Sequence, residues 1–214
     1  MTDLVLHGYW RSSASYRVRI ALNLKGLSFA QVTHDLRLGE QRDPAYLTLA
    51  PQGLVPALAE GSDTYFQSPA ILEMLDERWP EPRLIPQSPK DAAMVRAMAA
   101  VIGCDIHPLG NLRVLQALRQ DFAADEMQIK AWRHRWMGEG LRAMEVMLES
   151  FGGSFSYGDR PTLADCYLIP QLYNAKRFEI SLEQYPRLGA VDATCATLPA
   201  FAAAHPEQQP DADK

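Results

Sequence analysis

Residues 80–89 read Pro-Glu-Pro-Arg-Leu-Ile-Pro-Gln-Ser-Pro, four prolines in ten positions. Proline fixes φ and removes a backbone donor, so such a stretch joins regular elements without continuing them. It separates two unlike patterns. Before it, strand and helix signals alternate. After it, the apolar period is helical throughout. We therefore divide the chain into a first domain at 1–82, a linker at 83–90, and an all-helical second domain at 91–214.

In the first domain, Leu4 to Tyr9 reads as a short buried strand and Ser15 to Lys25 as a helix, with Gly26 positioned to stop it. Phe29 to Leu36 alternates apolar and polar residues, a second strand. Pro44 to Leu49 is a short helix or turn. The apolar run Leu54 to Leu58 contains Pro56, which belongs at the start of a strand because it cannot donate to a ladder. Thr64 to Phe66 is a further short strand. Ser68 then reads as the cap of a helix with Pro69 at its first position. The resulting order is βαβα followed by ββα: an α/β unit, an antiparallel hairpin and a closing helix. In the second domain, helical periods cover 91–120, 125–149, 162–174 and 185–204. Gly103 and Pro108 predict a break in the first of these.

Charge and cysteine usage narrow the function. The 214 residues carry a formal net charge of −5, which gives no electrostatic reason to bind nucleic acid or an anionic membrane. No basic stretch leads into a long apolar segment, and no window nears the roughly 20 apolar residues of a membrane span. Cys104, Cys166 and Cys195 are odd in number and far apart, against a disulfide framework or a zinc cluster. The expectation is a cytoplasmic protein with reduced thiols and no metal.

Three short features carry candidate chemistry. Arg11-Ser12-Ser13-Ala14-Ser15 joins the first strand to the first helix, placing hydroxyls and free N–H groups at a positive helix end. A thiolate there is stabilised by the dipole and by a hydroxyl donor, although plain N-capping explains the serines equally and is favoured when they are taken alone. Val55-Pro56 is the second feature. Its bond is expected to be trans, since the cis form occurs in about 5–6% of X–Pro bonds. Gln67-Ser68 is the third, a helix start that can receive a carboxylate or serve as a simple cap. Thr162 to Asp165 forms a capping box, read as structural.

The order and spacing of these features resemble the glutathione transferase superfamily. The stretch Arg11 to Leu22 resembles the signature loop of its zeta class, with Ala14 where that class usually carries cysteine. Ala50-Pro51-Gln52-Gly53-Leu54-Val55-Pro56 resembles the family's Asn-Pro-Gln-x-x-Val-Pro stretch, with Ala50 replacing asparagine. Gly103 to Pro108 and Pro210-Asp211 are similar to bacterial zeta-class isomerases. The resemblance spans essentially the whole chain. It implies a thioredoxin-like glutathione-binding domain, an all-α substrate-binding domain, and a homodimer.

The same resemblance implies roles for residues. Ser12, supported by Ser13, would activate the glutathione sulfur. Ser12, Ser13, Ala14, Gln41, Val55, Pro56, Gln67, Ser68 and Asn111 would line the cofactor, with Gln41 at its glycine end and Gln67 and Ser68 at its γ-glutamyl end. Gly110 stands where a family glutamine would be. Arg11, Arg177 and Arg113 would face an unsaturated dicarboxylate substrate, since arginine grips carboxylates in a two-pronged fork. Solvated surface charge is the competing reading of each, and is favoured for Arg113. His107 is expected to bond locally. The implied activity is glutathione-dependent cis–trans isomerisation of maleylacetoacetate. Isomerisation of maleylpyruvate, conjugation of α-haloacids or other electrophiles, and a non-catalytic binding role are the alternatives.

Overall fold

The computed structural model describes residues 3–213. Its residues group into two compact units: Met1–Leu84 with Ala196–Lys214, and Ile85–Cys195.

The first unit is built on a four-stranded sheet of order β2-β1-β3-β4. The strands are β1 (Leu4–Gly8), β2 (Phe29–Thr33), β3 (Ala57–Glu60) and β4 (Asp63–Phe66). β1 pairs with β2 in parallel and with β3 antiparallel, and β3 pairs with β4 antiparallel. Parallel neighbours need a crossover, supplied here by α1 (Ser13–Leu24). β3 and β4 form the expected hairpin, followed by α3 (Ser68–Arg78); α2 (Pro44–Leu49) precedes β3. This is the thioredoxin-like arrangement. Pro56 sits just ahead of β3, where its missing donor disturbs no ladder.

α1 is buried on nearly every face. Val18, Ile20, Ala21 and Leu22 are fully buried, but so are Arg17 and Arg19. Burying a guanidinium is tolerable only when acceptors meet it. The C-terminal segment supplies them: Arg19 Nε donates to the Ala204 carbonyl at 3.0 Å, and Asn23 Nδ2 to the Ala200 carbonyl at 3.0 Å. Both carbonyls belong to or border α9 (Pro199–Ala204). The division drawn from sequence placed 196–214 in the second domain, whereas these contacts group it with the first. Lys25 closes the unit from the other side. Its Nζ bonds Asp76 at 2.8 Å and the carbonyls of Trp79 and Pro82 at 2.6 and 2.9 Å.

The second unit is helical: α4 (Pro89–Ala100), α5 (Leu112–Asp121), α6 (Glu126–Phe151), α7 (Leu163–Arg177) and α8 (Pro186–Ala196). The break expected near Gly103 and Pro108 is a π-helical turn over Val101–Ile106, after which α5 restarts at its cap Asn111. Trp132 Nε1 holds the end of that turn by donating to the Leu109 carbonyl at 2.8 Å. α7 runs through the unit's core and starts at Thr162. Asp165, fully buried, accepts from the Thr162 N–H at 2.7 Å, the Thr162 hydroxyl at 3.1 Å and the Ser156 N–H at 2.8 Å. Among the described residues no helix is long and apolar enough to cross a membrane.

Candidate functional site

The start of α1 follows directly from β1. The Tyr9 carbonyl accepts from Ser12 N–H at 3.0 Å, turning the chain so that Ser12 occupies the N-cap. Ser12 Oγ accepts a long 3.3 Å bond from Ser15 N–H. A hydroxyl has one hydrogen to donate as well as lone pairs to accept with. No acceptor for the Ser12 hydrogen exists among the described residues. The cap and the thiol-binding donor are therefore compatible roles of one side chain. The first turn of α1 holds no acid, so the dipole's positive end is not neutralised from within. Ser12 and Arg11 are half-buried, while Ser13 and Ala14 are buried. The Arg11 guanidinium lies 5.1 Å from the centroid of the Trp10 ring.

Two further contacts fix this loop. The Trp10 N–H donates to Asp211 Oδ2 at 2.9 Å, and the Trp10 carbonyl accepts from Arg19 Nη2 at 2.9 Å. Asp211 stood out in the sequence only as part of a family-like tail, and its contact with Trp10 was not legible there. Arg37 binds Asp213 at 2.7 Å and Asp35 at 2.7 Å, and holds the Asp35 carboxyl below the ordinary carboxylate range.

The Val55–Pro56 bond is cis, which corrects the trans expectation. The bond's isomer is set by tertiary contacts that base rates do not contain. Here the Tyr46 hydroxyl donates to the Leu54 carbonyl at 2.7 Å, and Val55 packs on the Tyr46, Ala50 and Ala57 cluster. Among the described residues no hydrogen bond engages the Val55 backbone, so its N–H and C=O are open to an extended peptide. Gly53 precedes this turn at φ +60, where a Cβ would meet the Gln41 carbonyl at 2.9 Å. That close approach seats Gln41 beside the turn. Gln41 Oε1 is shielded from solvent and has no hydrogen-bond partner.

The start of α3 corrects a second expectation. The helix begins at Ser68 itself, and Gln67 is the N-cap residue, at φ +70 and ψ 112. A positive φ in a non-glycine residue costs about 1–3 kcal/mol and marks a side chain aimed by its surroundings. Gln67 Nε2 donates to Gln52 Oε1. Ser68 Oγ does not cap; it accepts from Arg17 Nη1 at 3.3 Å. With no side-chain cap and no acid in the first turn, the leading N–H groups of α3 remain suited to a carboxylate.

Arg11, Ser12, Ser13, Ala14, Gln41, Val55, Pro56, Gln67 and Ser68 thus all belong to the first unit. They offer a peptide a hydroxyl and dipole for a thiolate, open backbone for its middle, an orphan amide oxygen, and a helix end for a carboxylate. These groups fit glutathione. Asn111, Arg113 and Arg177 belong to the second unit. Asn111 Oδ1 accepts from Arg113 N–H at 3.2 Å, capping α5. Arg113 is exposed. Arg177 bonds Asn174 Oδ1 at 3.3 Å and lies 4.4 Å from the Phe178 ring centroid.

Comparisons with known proteins agree with this geometry. The family model described as the glutathione S-transferase N-terminal domain matches residues 11–78. Maleylpyruvate isomerase of a Ralstonia species is 48% identical over 96% of this chain and 98% of its own. Maleylacetoacetate isomerase of Pseudomonas aeruginosa is 50% identical over 96% and 97%. The holo structure of a zeta-class bacterial maleylpyruvate isomerase superposes with a TM-score of 0.95, at 47% identity over 98% of this chain and 100% of that one. The Anaeromyxobacter dehalogenans maleylacetoacetate isomerase, solved with dicarboxyethyl glutathione and citrate bound, superposes at 0.89, with 44% identity over 99% and 94%. The chain belongs to the zeta-class glutathione transferase family, the family of the maleylacetoacetate and maleylpyruvate isomerases.

Proposed function

We propose that this protein is a glutathione-dependent cis–trans isomerase that converts maleylacetoacetate to fumarylacetoacetate in tyrosine and phenylalanine breakdown. The observation that carries the reading is the start of α1: a half-buried Ser12 with an unclaimed hydroxyl hydrogen, on a helix end with no acid of its own. When bound, glutathione supplies a thiolate that adds to one carbon of the cis double bond, allows rotation about the resulting single bond, and leaves again unchanged.

The chain's own groups have three tasks in this scheme. Ser12 donates to the sulfur and, with the α1 dipole, favours its ionised form, Ser13 supporting. The Val55 backbone holds the cysteinyl segment, Gln67 and Ser68 hold the γ-glutamyl end, and Gln41 holds the glycine end. Asn111 adds a contact from the helical unit. Arg11 and Arg177, with Arg113, bind the substrate carboxylates and draw negative charge away from sulfur as it enters the conjugated system. Ala14 leaves thiol chemistry to glutathione alone. The relative crystallised with dicarboxyethyl glutathione supports this route, because that ligand joins the glutathione sulfur to a dicarboxylate. The reading includes a cytoplasmic homodimer, checked by light scattering of the purified protein.

Maleylpyruvate is the second substrate to consider, favoured by the likeness to the Ralstonia enzyme and the 0.95 superposition. The test offers each substrate in turn to purified protein with glutathione and follows absorbance. Glutathione-dependent isomerisation is expected, and the faster substrate fixes the assignment. Isomerisation of neither overturns the proposal.

A further inference from the structure

Two arginines of the helical unit meet on one aromatic ring. The Cζ atoms of Arg133, in the first third of α6, and Arg177, the last residue of α7, each lie 4.4 Å from the Phe178 ring centroid. The ring's electron-rich face attracts each cation, but the two cations repel one another. Such a pair persists when something else draws on both charges.

Arg133 is the member the established chemistry leaves unexplained. It is half-buried, and its Nε is shielded from solvent with no hydrogen-bond partner. The acids around it are already engaged. Glu126 is held by Arg119 through bonds of 2.8 and 3.1 Å, and Glu179 pairs with Lys130 at 2.8 Å. His134 Nε2 lies 3.1 Å from the Phe178 carbonyl and brings no negative charge. Burial, followed by repulsion from Arg119, lowers the Arg133 pKa, yet a guanidinium stays charged across the working pH range. The molecule thus keeps a permanent, partly desolvated cation with an idle donor and no internal counter-ion. A planar two-oxygen acceptor matches the guanidinium fork and satisfies that donor.

We infer that Arg133 is a carboxylate-binding residue that works with Arg177 across Phe178 on one carboxylate of a dicarboxylate ligand. This rests on the isomerase reading for the identity of the natural ligand, while the binding event itself can be measured with malonate alone. Calorimetric titration of the full-length protein with malonate, and with the neutral isostere malonamide, tests it. The variants are Arg133→Met, which keeps a stem to pack on Phe178, and Arg133→Lys, which keeps the charge but not the fork.

The expected result is binding of malonate but not malonamide. Arg133→Met weakens malonate by about tenfold or more, and Arg133→Lys by less. In the isomerase assay KM rises by a similar factor in Arg133→Met, while glutathione affinity and melting temperature hold. Malonate affinity unchanged in Arg133→Met, or no malonate binding by the wild-type protein, overturns the inference. So does a loss confined to melting temperature and glutathione affinity, which marks a structural stem. If neither substrate is isomerised yet malonate binding follows the variants as described, the isomerase reading fails and the carboxylate site stands.

Discussion

The helices α1 and α7 both begin at a hydroxyl-bearing N-cap, yet their N-termini are in opposite states. At α7, Asp165 in the first turn folds back onto Thr162 and Ser156, and three donors are consumed inside the protein. At α1 no acid stands in the first turn, and Ser12 accepts one long bond while its hydrogen remains unclaimed. α3 resembles α1: it has neither acid nor side-chain cap. The contrast teaches that a hydroxyl at a helix start is ambiguous, and that the acid three residues on resolves it. A terminus that carries its own anion is finished. One that does not is suited to a foreign anion.

The largest expected effect lies at the finished end. Asp165→Ala strands buried N–H groups of Ser156 and Thr162, and we expect a loss of about 3 kcal/mol, read from the urea midpoint. Glutathione affinity of the folded fraction should hold, and a drop there would break the contrast. At the open end the effects reverse. Ser12→Ala should lower turnover about a hundredfold, as when one donor to a developing anion is removed. Its stability should fall by no more than about 1 kcal/mol, since a 3.3 Å cap bond is weak.

Much of the scaffold was legible in the sequence, because period and turn chemistry are local. The β1–α1–β2 unit, the β3–β4 hairpin and the capping box at Thr162 follow from residue order. What escaped depends on partners distant in the chain. Arg19 sits at the centre of an apolar helix, and the carbonyls of Ala204 and Trp10 that receive it are backbone atoms no residue type announces. For the same reason the return of 196–214 to the first unit was unreadable. Gln67 took the cap position from Ser68 because Arg17, buried beneath, engages the serine hydroxyl. Of the candidate site, the serines and Gln41 were visible only through family likeness. The orphan state of the Gln41 oxygen needed coordinates.

Two smaller effects sharpen the contrast. Gln41→Ala removes an orphan acceptor, so stability should hold while glutathione affinity falls severalfold, on the order of 1 kcal/mol. Calorimetry checks it. The second effect concerns acid. His7 Nδ1 and His34 Nε2 lie 3.0 Å apart beside Tyr46, and burial lowers both pKa values below the ordinary 6.5. The unfolded chain therefore takes up protons first as pH falls. The pair's stability contribution is fully present above 6.5 and lost as pH drops through and below it. His34→Gln should flatten the acid limb of a melting-temperature profile between about pH 7 and pH 5. An unchanged limb would remove the pair from the account.

The central claim is that the open end of α1, through Ser12, stabilises a thiolate. Ultraviolet difference titration of glutathione bound to the wild-type protein measures this directly. A free cysteine thiol ionises near about 8.5. The account predicts ionisation at least about one unit lower when bound, with most of that shift lost in Ser12→Ala. A bound thiol that titrates as it does free in solution would contradict it.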